Sequence, residues 1–481
     1  MPTEVLDADY LIVGSGAVGL AFADVLFTET DATLAIVDRR HGPGGHWNDA
    51  YPFVRLHQPS AYYGVNSRDL GTDSLDRTAL NKGMYERASS AEILAYYQRL
   101  MTDLMGSGRV RYFPMSEYVG DFAHEHRVVP RVGGDSTEIS VRRRTVDTSY
   151  IRTEVPATHP PRYLIADGVR CVPPHRLPGE DRPEDGYVVI GSGKTGVDVC
   201  LWLLESGVAP ERITWVAPRD SWFQNRHHMQ PLGEFMTPAL AGLVQQAEIA
   251  GSAQSADEFF LGMEAAGVLL RVDPSVTPEM FHGAILSVAE LEELRRIPSV
   301  VRMGRVQAIG PERIVLEGGT VPSSTGRLYI DCTARGVDLR ESRTVFTDST
   351  VTPQMVRTFQ PVFSSALIAH VEATVDGTEA KNALCRPMQM ADRPAEYLRV
   401  LLLNYANHYA WNKNPLIAEW LQASRLDRYS RLTRDGADGD LERLALIERH
   451  GAAVKSAVAN LPLLVAQHEA AEAASAPSEN G

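Results

Sequence analysis

An α/β architecture built from two Rossmann-like dinucleotide-binding units is what this sequence predicts, on three observations. A glycine pattern of the form G-x-G-x-x-G occurs twice, at Gly14-Ser15-Gly16-Ala17-Val18-Gly19 and at Gly191-Ser192-Gly193-Lys194-Thr195-Gly196. Each copy lies between an apolar run of strand length and a segment whose apolar residues recur at helical spacing. Each is followed by a second apolar run ending in a residue suited to a ribose, Asp38 in the first and Arg219 in the second.

In the first unit, Tyr10 to Val13 reads as a buried strand and Leu20 to Phe27 as the helix after the turn. Gly14 permits the tight turn, Gly16 lets the backbone approach a pyrophosphate, and Gly19 lets helix and strand pack closely. Asp38 ends the next strand, Thr33 to Val37, where a carboxylate accepts hydrogen bonds from the hydroxyls of an unphosphorylated ribose. In the second unit, Tyr187 to Ile190 precedes the glycines and Val197 to Leu204 follows them. The next strand, Ile213 to Ala217, ends in Pro218-Arg219-Asp220. A guanidinium there suits a 2′-phosphate and so NADPH, whereas Asp220 beside it keeps NADH open. Two sites with different ribose partners suggest a flavin paired with a nicotinamide.

Composition bounds the rest. Of 481 residues, 44% are apolar and 22% charged, enough for large buried cores. The net charge of −14 argues against nucleic acid or an anionic membrane surface as a partner. The 4 cysteines include no C-x-x-C pair, which argues against a disulfide scaffold, a zinc ribbon and disulfide-reductase chemistry, and each reads as a small buried apolar residue. The acidic start lacks the basic region of a signal peptide, and no apolar run has the length of a membrane span, so the expected location is the cytoplasm.

Between and beyond the two units, each stretch carries its own signal. Arg39 to Pro52 is a glycine-rich loop in which Gly45, His46 and Trp47 stand close behind the ribose acid, placed to touch a cofactor. Val54 to Val65 is dense in hydrogen-bonding side chains, and Arg55, His57, Gln58 and Tyr62 form a cluster that in a flavoprotein could line the ring and the substrate. Ser89 to Met105 reads as a helix capped by Ser90, and Val110–Phe113 and Ile139–Arg144 as strands of an antiparallel meander. Pro/Gly-rich ground around Ala166-Asp167-Gly168 puts a domain crossing near residue 170. The segment Ser221 to Met229 reads as a loop near the nicotinamide or substrate, and His227 and His228 lack further ligands at metal spacing. Residues 233–298 read as largely helical, with Pro238 to Ala247, Ala256 to Ala266 and Val288 to Arg296 as helices that cap the site. Val300–Ile309 and Arg313–Glu317 read as hairpin strands, and Leu328–Asp331 as a buried strand opening into a glycine turn. Helices are expected near 394–409 and 441–470, and the Ala/Ser/Glu-rich residues 469–481 as a disordered tail.

With these residues in place, the chain resembles the class B flavoprotein monooxygenases: the flavin-containing, Baeyer–Villiger and N-hydroxylating enzymes. The resemblance rests on both glycine motifs and on Gly45-His46-Trp47, which is similar to that family's Gly-Gly-Thr-Trp. It extends through Asn48-Asp49-Ala50-Tyr51-Pro52, Ala166-Asp167-Gly168 and Asp331-Cys-Thr-Ala-Arg-Gly336, over most of residues 1–340. It implies an NAD(P)H domain nested within an FAD domain: residues 1–169 and 327–468 for FAD, residues 170–326 for the nicotinamide with the helical insertion at 233–298. It implies FAD on Gly14, Ser15, Gly16, Gly19, Asp38, Arg39, Gly45, His46 and Trp47. NADPH falls to Gly191, Ser192, Gly193, Lys194, Thr195, Gly196 and Arg219, and no metal is implied. Asp49, Arg55, His57 and Gln58 are the candidate catalytic residues. The implied reaction is monooxygenation of a small organic molecule, in which O2 adds to the reduced flavin and the C4a-(hydro)peroxide passes one oxygen atom on. The Baeyer–Villiger fingerprint F-x-G-x-x-x-H-x-x-x-[WY] is not matched by Val169-Arg-Cys-Val-Pro-Pro-His175-Arg-Leu-Pro-Gly179, which keeps the N-hydroxylating relatives in view.

Two other readings stand beside it. One is an FAD- and NAD(P)H-dependent dehydrogenase or reductase that transfers no oxygen. The other is a binding protein that keeps the nucleotide fold without turnover. Substrate and oligomeric state are not legible in the residues.

Overall fold

The computed structural model describes residues 4–151, 153–230, 233–334, 336, 340–427, 430, 432–433 and 440–475. Arg335, in the turn expected after Asp331, and residues 476–481 of the expected tail lie outside them.

The first unit is a sheet in the order β3-β2-β1-β6-β5-β4, formed by β1 (Glu4–Val13), β2 (Leu34–Val37), β3 (Val110–Phe113), β4 (Ser116–Gly120), β5 (His126–Pro130) and β6 (Thr137–Asp147). The β3-β2-β1-β6 portion is parallel, and β4, β5 and β6 form the antiparallel flap. Val110–Phe113 is therefore not a meander strand as expected. Its alternate residues are only half covered, which suits the sheet edge it occupies. Helix α1 (Ala17–Glu29) follows the first glycine turn, and α2 (Ser90–Gly106) covers the sheet. The cap of α2 is Ser89 and not Ser90: the Ser89 N–H donates to Glu92 Oε2 at 2.7 Å, and Glu92 N–H to Ser89 Oγ at 3.4 Å, a capping box.

The second unit is wholly parallel, in the order β14-β10-β9-β18-β8, built from β8 (Arg170–Val172), β9 (Tyr187–Ile190), β10 (Ile213–Val216), β14 (Ser299–Val301) and β18 (Leu328–Asp331). Helices α3 (Lys194–Glu205) and α6 (Val288–Leu294) pack on it through Leu203, Leu291 and Leu294. Two expectations change here. Leu328–Asp331 pairs with β9 and β8, so the second unit runs past the boundary set at 326 and the chain returns to the first unit only after Asp331. The expected strand at Val300–Ile309 is two strands: β14 joins the parallel sheet, while β15 (Val306–Ile309), β16 (Arg313–Leu316) and β17 (Gly319–Pro322) make an antiparallel flap, edged by β7 (Leu164–Ile165). Both crossings are tied together, because the Tyr163 hydroxyl donates to Asp331 Oδ1 at 3.1 Å and Thr333 Oγ1 donates to the same atom at 2.7 Å.

The chain's return to the first sheet makes the nesting visible. Strand β19 (Thr350–Val351) comes back to pair with β6, and α7 (Pro361–Thr374) packs along α1. Helix α7 is buried from Val362 to Glu372, with Phe363, Leu367 and Ile368 in the core of the first unit and Glu372 ion-paired with Arg144 and Lys381.

Within 233–298, two long helices, α4 (Met236–Ser252) and α5 (Ala256–Ala265), form the cap, whereas α6 belongs to the second unit. Short strands β12 (Leu269–Leu270) and β13 (Ile285–Leu286) flank β11 (Phe223–Asn225), so the insertion is less helical than expected. The cap core is aromatic: Trp222, Phe259, Phe260 and Phe281 meet Tyr397 and Leu401 of α9 (Pro394–Lys413). Small helices α8 (Thr378–Leu384) and α10 (Pro415–Ala423) flank α9. The last described helix, Leu441–Ser475, lies along α4 and runs beyond 469, so residues 469–475 are helical where a disordered tail was expected.

Candidate functional site

The glycine turns are set by sterics. Gly14 and Gly191 have φ of +112° and +119°, which favour glycine, and a Cβ on Gly19 or Gly196 would lie 2.0 Å from the carbonyl oxygen of Gly14 or Gly191. Gly193 is different: a Cβ there would meet nothing within 4 Å, so its bareness leaves open space over the turn. The helices that follow are left unfinished at their starts. Neither α1, begun by Gly16, nor α3, begun by Gly193, has a side-chain cap or an acid in its first turn, and the same holds for α7. Helices α2, α5, α6 and α10 each carry a side-chain cap, whereas α4 also lacks both a side-chain cap and a first-turn acid. Uncapped N–H groups and the positive end of the helix dipole are what an anionic pyrophosphate needs.

A cavity of about 730 Å³ opens between the two units and under the cap. The second glycine loop, Gly191 to Thr195, lines it directly, as do His46, Trp47, Asp49, Arg55, His57, Gln58 and Tyr62. Gln360 and Pro361, at the start of α7, lie on the same wall. Gly14, Ser15, Gly16, Gly19 and Asp38 are not among the lining residues. They stand behind the turn Gly45–Asp49, where a Gly45 Cβ would come within 2.9 Å of Gly16 Cα and the Gly44 N–H donates to Ser15 O at 2.8 Å. Asp38 is buried, with Oδ2 accepting from Ser15 N–H and Oγ at 2.7 and 2.9 Å and Oδ1 from Arg40 N–H at 2.8 Å. A carboxylate offers about four lone-pair positions, which leaves room for a ribose hydroxyl.

The other sequence candidates divide. Trp47 is buried, its indole N–H donating to the Tyr63 hydroxyl at 2.7 Å. Burial pushes the neighbouring His46 imidazole down to about 4. Arg39 is exposed. Asp49 is engaged by Arg40, whose Nε and Nη2 both reach its Oδ2, at 2.9 and 2.7 Å. Arg55 borders the cavity, but its side chain is 57% exposed and donates to Arg87 O at 2.9 Å. His57 is held well below its ordinary pKa by burial and then by the charges of Lys194, Arg226 and Arg87, so it faces the cavity as a neutral imidazole.

Several participants escaped the sequence reading. Arg226, fully buried, donates from Nη2 to Glu290 Oε2 at 2.7 Å and from Nε to the backbone oxygen of His57 at 3.0 Å, while Arg87 lies 3.2 Å from Glu290 Oε1. Burial works to raise the Glu290 carboxyl, but Arg226, Arg87 and Lys194 outweigh it and hold the group down to about 2. This buried cluster fixes the His57 backbone. Lys194 is ion-paired with Asp198, one turn along α3. Beyond β10, Arg219 pairs with Asp392, which also meets His282, and Asp220 is paired with Arg302 at 2.8 and 3.1 Å. The apolar wall comes from Ala239, Gly242 and Leu243 of α4 and Leu401 of α9, with Gln246, Tyr397 and Asn404 as its polar points. The only local hint of Asp392 is Asp-Arg-Pro before a helix, which reads as a helix start.

His228 Nδ1 hydrogen-bonds Pro238 O at 3.1 Å and His227 packs edge-on against Phe235; among the described residues no group of three or more His, Cys, Asp or Glu is arranged to hold a metal ion. Cys200, Cys332 and Cys385 are buried and Cys171 half-buried, all as free thiols.

The family model for an NAD(P)-binding Rossmann-like domain matches residues 12–65. Among solved structures, the chain is similar to cyclohexanone monooxygenase from Rhodococcus sp. Phi1 bound to NADP+, at 14% identity over 94% of this chain and 99% of that one, with a TM-score of 0.46. It is also similar to bacillithiol disulfide reductase from Bacillus cereus, at 14% identity over 77% and 100% of the two chains, with a TM-score of 0.45. An uncharacterised protein of Mycobacterium tuberculosis (strain ATCC 25618 / H37Rv) is 46% identical over 427 residues, 89% of this chain and 78% of its own. At that identity and coverage, this chain belongs to the same family as the uncharacterised mycobacterial protein.

Proposed function

We propose that the protein is an FAD-dependent, NADPH-reduced monooxygenase acting on a small, largely apolar organic molecule. The observation that carries this reading is the shared cavity. The second glycine loop and the His46–Trp47 turn, which stands in front of the first, both open into it, and α4 and α9 roof it with an apolar wall.

The residues fit the two groups. The uncapped starts of α1 and α3, the space over Gly193 and the remaining acceptor capacity of Asp38 suit two dinucleotides, and Arg219 suits a 2′-phosphate. Bound there, FAD and NADPH supply hydride transfer and oxygen activation, chemistry that side chains lack. The start of α7, at Gln360 and Pro361, borders the same cavity, and the positive end of its dipole favours negative charge beside it. His57, neutral and with its backbone held by Arg226, can accept a hydrogen bond at an imidazole nitrogen, while burial and the cations around it disfavour its taking a proton. The cap excludes water from the reacting face. The balance is that NADPH and a proton supply two electrons and two hydrogens, one atom of O2 enters the substrate, and the other leaves as water.

Disulfide reduction is disfavoured by the thiols. Cys332 borders the cavity, yet burial pushes its pKa well above the usual thiol value, which leaves it protonated and a poor nucleophile.

The test is isotopic. Flavin-loaded protein turns over NADPH under 18O2 with panels of amines, sulfides and ketones, and products are weighed by mass spectrometry. One heavy oxygen per product molecule is expected. NADPH consumption matched by hydrogen peroxide across all panels would replace this reading with that of an oxidase or reductase, and a protein that takes up no flavin would leave the binding-protein reading.

A further inference from the structure

The guanidinium suited to a 2′-phosphate already has an anion on it. Arg219 Nη1 and Nη2 meet Asp392 Oδ2 and Oδ1 at 2.8 and 3.0 Å, a planar two-point contact of the kind a phosphate also makes. Asp392 Oδ1 takes His282 Nε2 as well, at 2.8 Å. The carboxylate is presented on a fixed backbone: the Asp392 N–H donates to Glu396 Oε2 at 2.8 Å, and its carbonyl accepts from Phe281 N–H at 3.0 Å. Arg219, Asp392 and His282 all border the cavity, with side chains 28%, 26% and 28% exposed, so a ligand can reach the pair. The other acid at this end, Asp220, is directed to Arg302, so Asp392 is the carboxylate that meets the Arg219 guanidinium, whose Nη2 also donates to Met280 Sδ at 3.6 Å.

We propose that Asp392 is a built-in stand-in for the coenzyme's 2′-phosphate, holding Arg219 and His282 until NADPH arrives and giving them up by rotation of its side chain. This rests on reading the second glycine motif as the NADPH site. A phosphate monoester carries close to two charges and three acceptor oxygens against the single charge of a carboxylate, so it displaces Asp392 where the bare ribose of NADH does not. Asp392 thereby sets the affinity for 2′-phosphorylated nucleotides without contributing to the affinity for unphosphorylated ones. It also ties coenzyme occupancy to the start of α9, the helix whose Tyr397, Leu401 and Asn404 reach the substrate end of the cavity.

The test is equilibrium binding by calorimetry, on the full-length protein, of NADP+, NAD+ and adenosine 2′,5′-bisphosphate. Removing an ion pair of this exposure is expected to make Asp392→Asn bind the two 2′-phosphate ligands about three- to tenfold tighter, with NAD+ unchanged within about twofold. Asp392→Ser, which cannot rebuild the two-point contact, is expected to do the same. Arg219→Ala is expected to weaken the 2′-phosphate ligands only. Asp392 variants that leave those ligands unchanged or weaken them, while Arg219→Ala still weakens them, would overturn the inference and spare the NADPH reading. Arg219→Ala without effect on any 2′-phosphate ligand would overturn both.

Discussion

The Tyr51 hydroxyl donates to Asp198 Oδ2 at 2.7 Å, and through that bond the loop after the first glycine motif is fastened to the helix after the second. Asp198 in turn holds Lys194, at the first turn of α3, so a phenol from one unit orients a cation at the mouth of the other. Phe53 reinforces the joint, stacked on Trp202 and tilted against Tyr51. Tyr51→Phe keeps the ring and loses the bond. Loss of a hydrogen bond to a charged acceptor is expected to cost about 1.5–3 kcal/mol in urea unfolding. Slackened alignment of the two units is expected to slow flavin reduction by about tenfold or more.

Two glycines of the same motif type should behave oppositely. A Cβ on Gly19 lies 2.0 Å from the Gly14 carbonyl oxygen, within the backbone itself, so Gly19→Ala is expected to lower the melting temperature sharply and to yield protein without flavin. Gly193→Ala meets nothing within 4 Å, so it should fold with wild-type melting behaviour and lose NADP+ affinity, because the methyl occupies the space over the turn. Melting curves, flavin content and NADP+ titrations separate the two.

Glu290 is the only carboxylate facing the buried guanidinium of Arg226 at ion-pair distance among the described residues. Glu290→Gln leaves that charge uncompensated in the interior, and about 3–5 kcal/mol of stability is expected to go with it. The Arg226→Met, Glu290→Leu double variant removes this pair but leaves the largely buried Arg87 without its Glu290 partner, so it should recover only part of the loss, which a denaturant series on the four proteins measures.

Stability should fall with acid before the carboxylates titrate. The His46 pKa is about 4 in the folded chain, below its ordinary 6.5, because burial disfavours the cation. The unfolded chain therefore binds a proton between those values that the folded chain does not. The stabilisation is whole above pH about 6.5 and is lost progressively as pH falls toward about 4. His57, displaced downward in the same direction, adds to the slope. His46→Gln should flatten unfolding free energy against pH across that window and leave it unchanged above.

Both glycine motifs, their strands and their helices were legible because each signal is confined to a few consecutive residues. Capping, flap strands and boundaries were less so: Val110–Phe113 and Leu328–Asp331 are apolar strands whose sheet is decided by distant partners, β2 and β9. The charged parts of the site were hidden for the same reason. Arg219 meets Asp392 across 173 residues, His282 meets it across 110, and Arg226 meets Glu290 across 64. Taken alone, each of these is an ordinary surface-type residue. Arg55 borders the cavity, but its largely exposed side chain is engaged by Arg87 O, a partner 32 residues away.

The central claim is that two dinucleotide sites deliver to one cavity, and the most direct measurement is anaerobic mixing of the flavin-loaded protein with NADPH while the visible flavin band is followed. Rapid bleaching that saturates with NADPH concentration is the expected result. A flavin that stays oxidised while NADP+ binds tightly to the same protein would contradict it, since the two cofactors would then not meet.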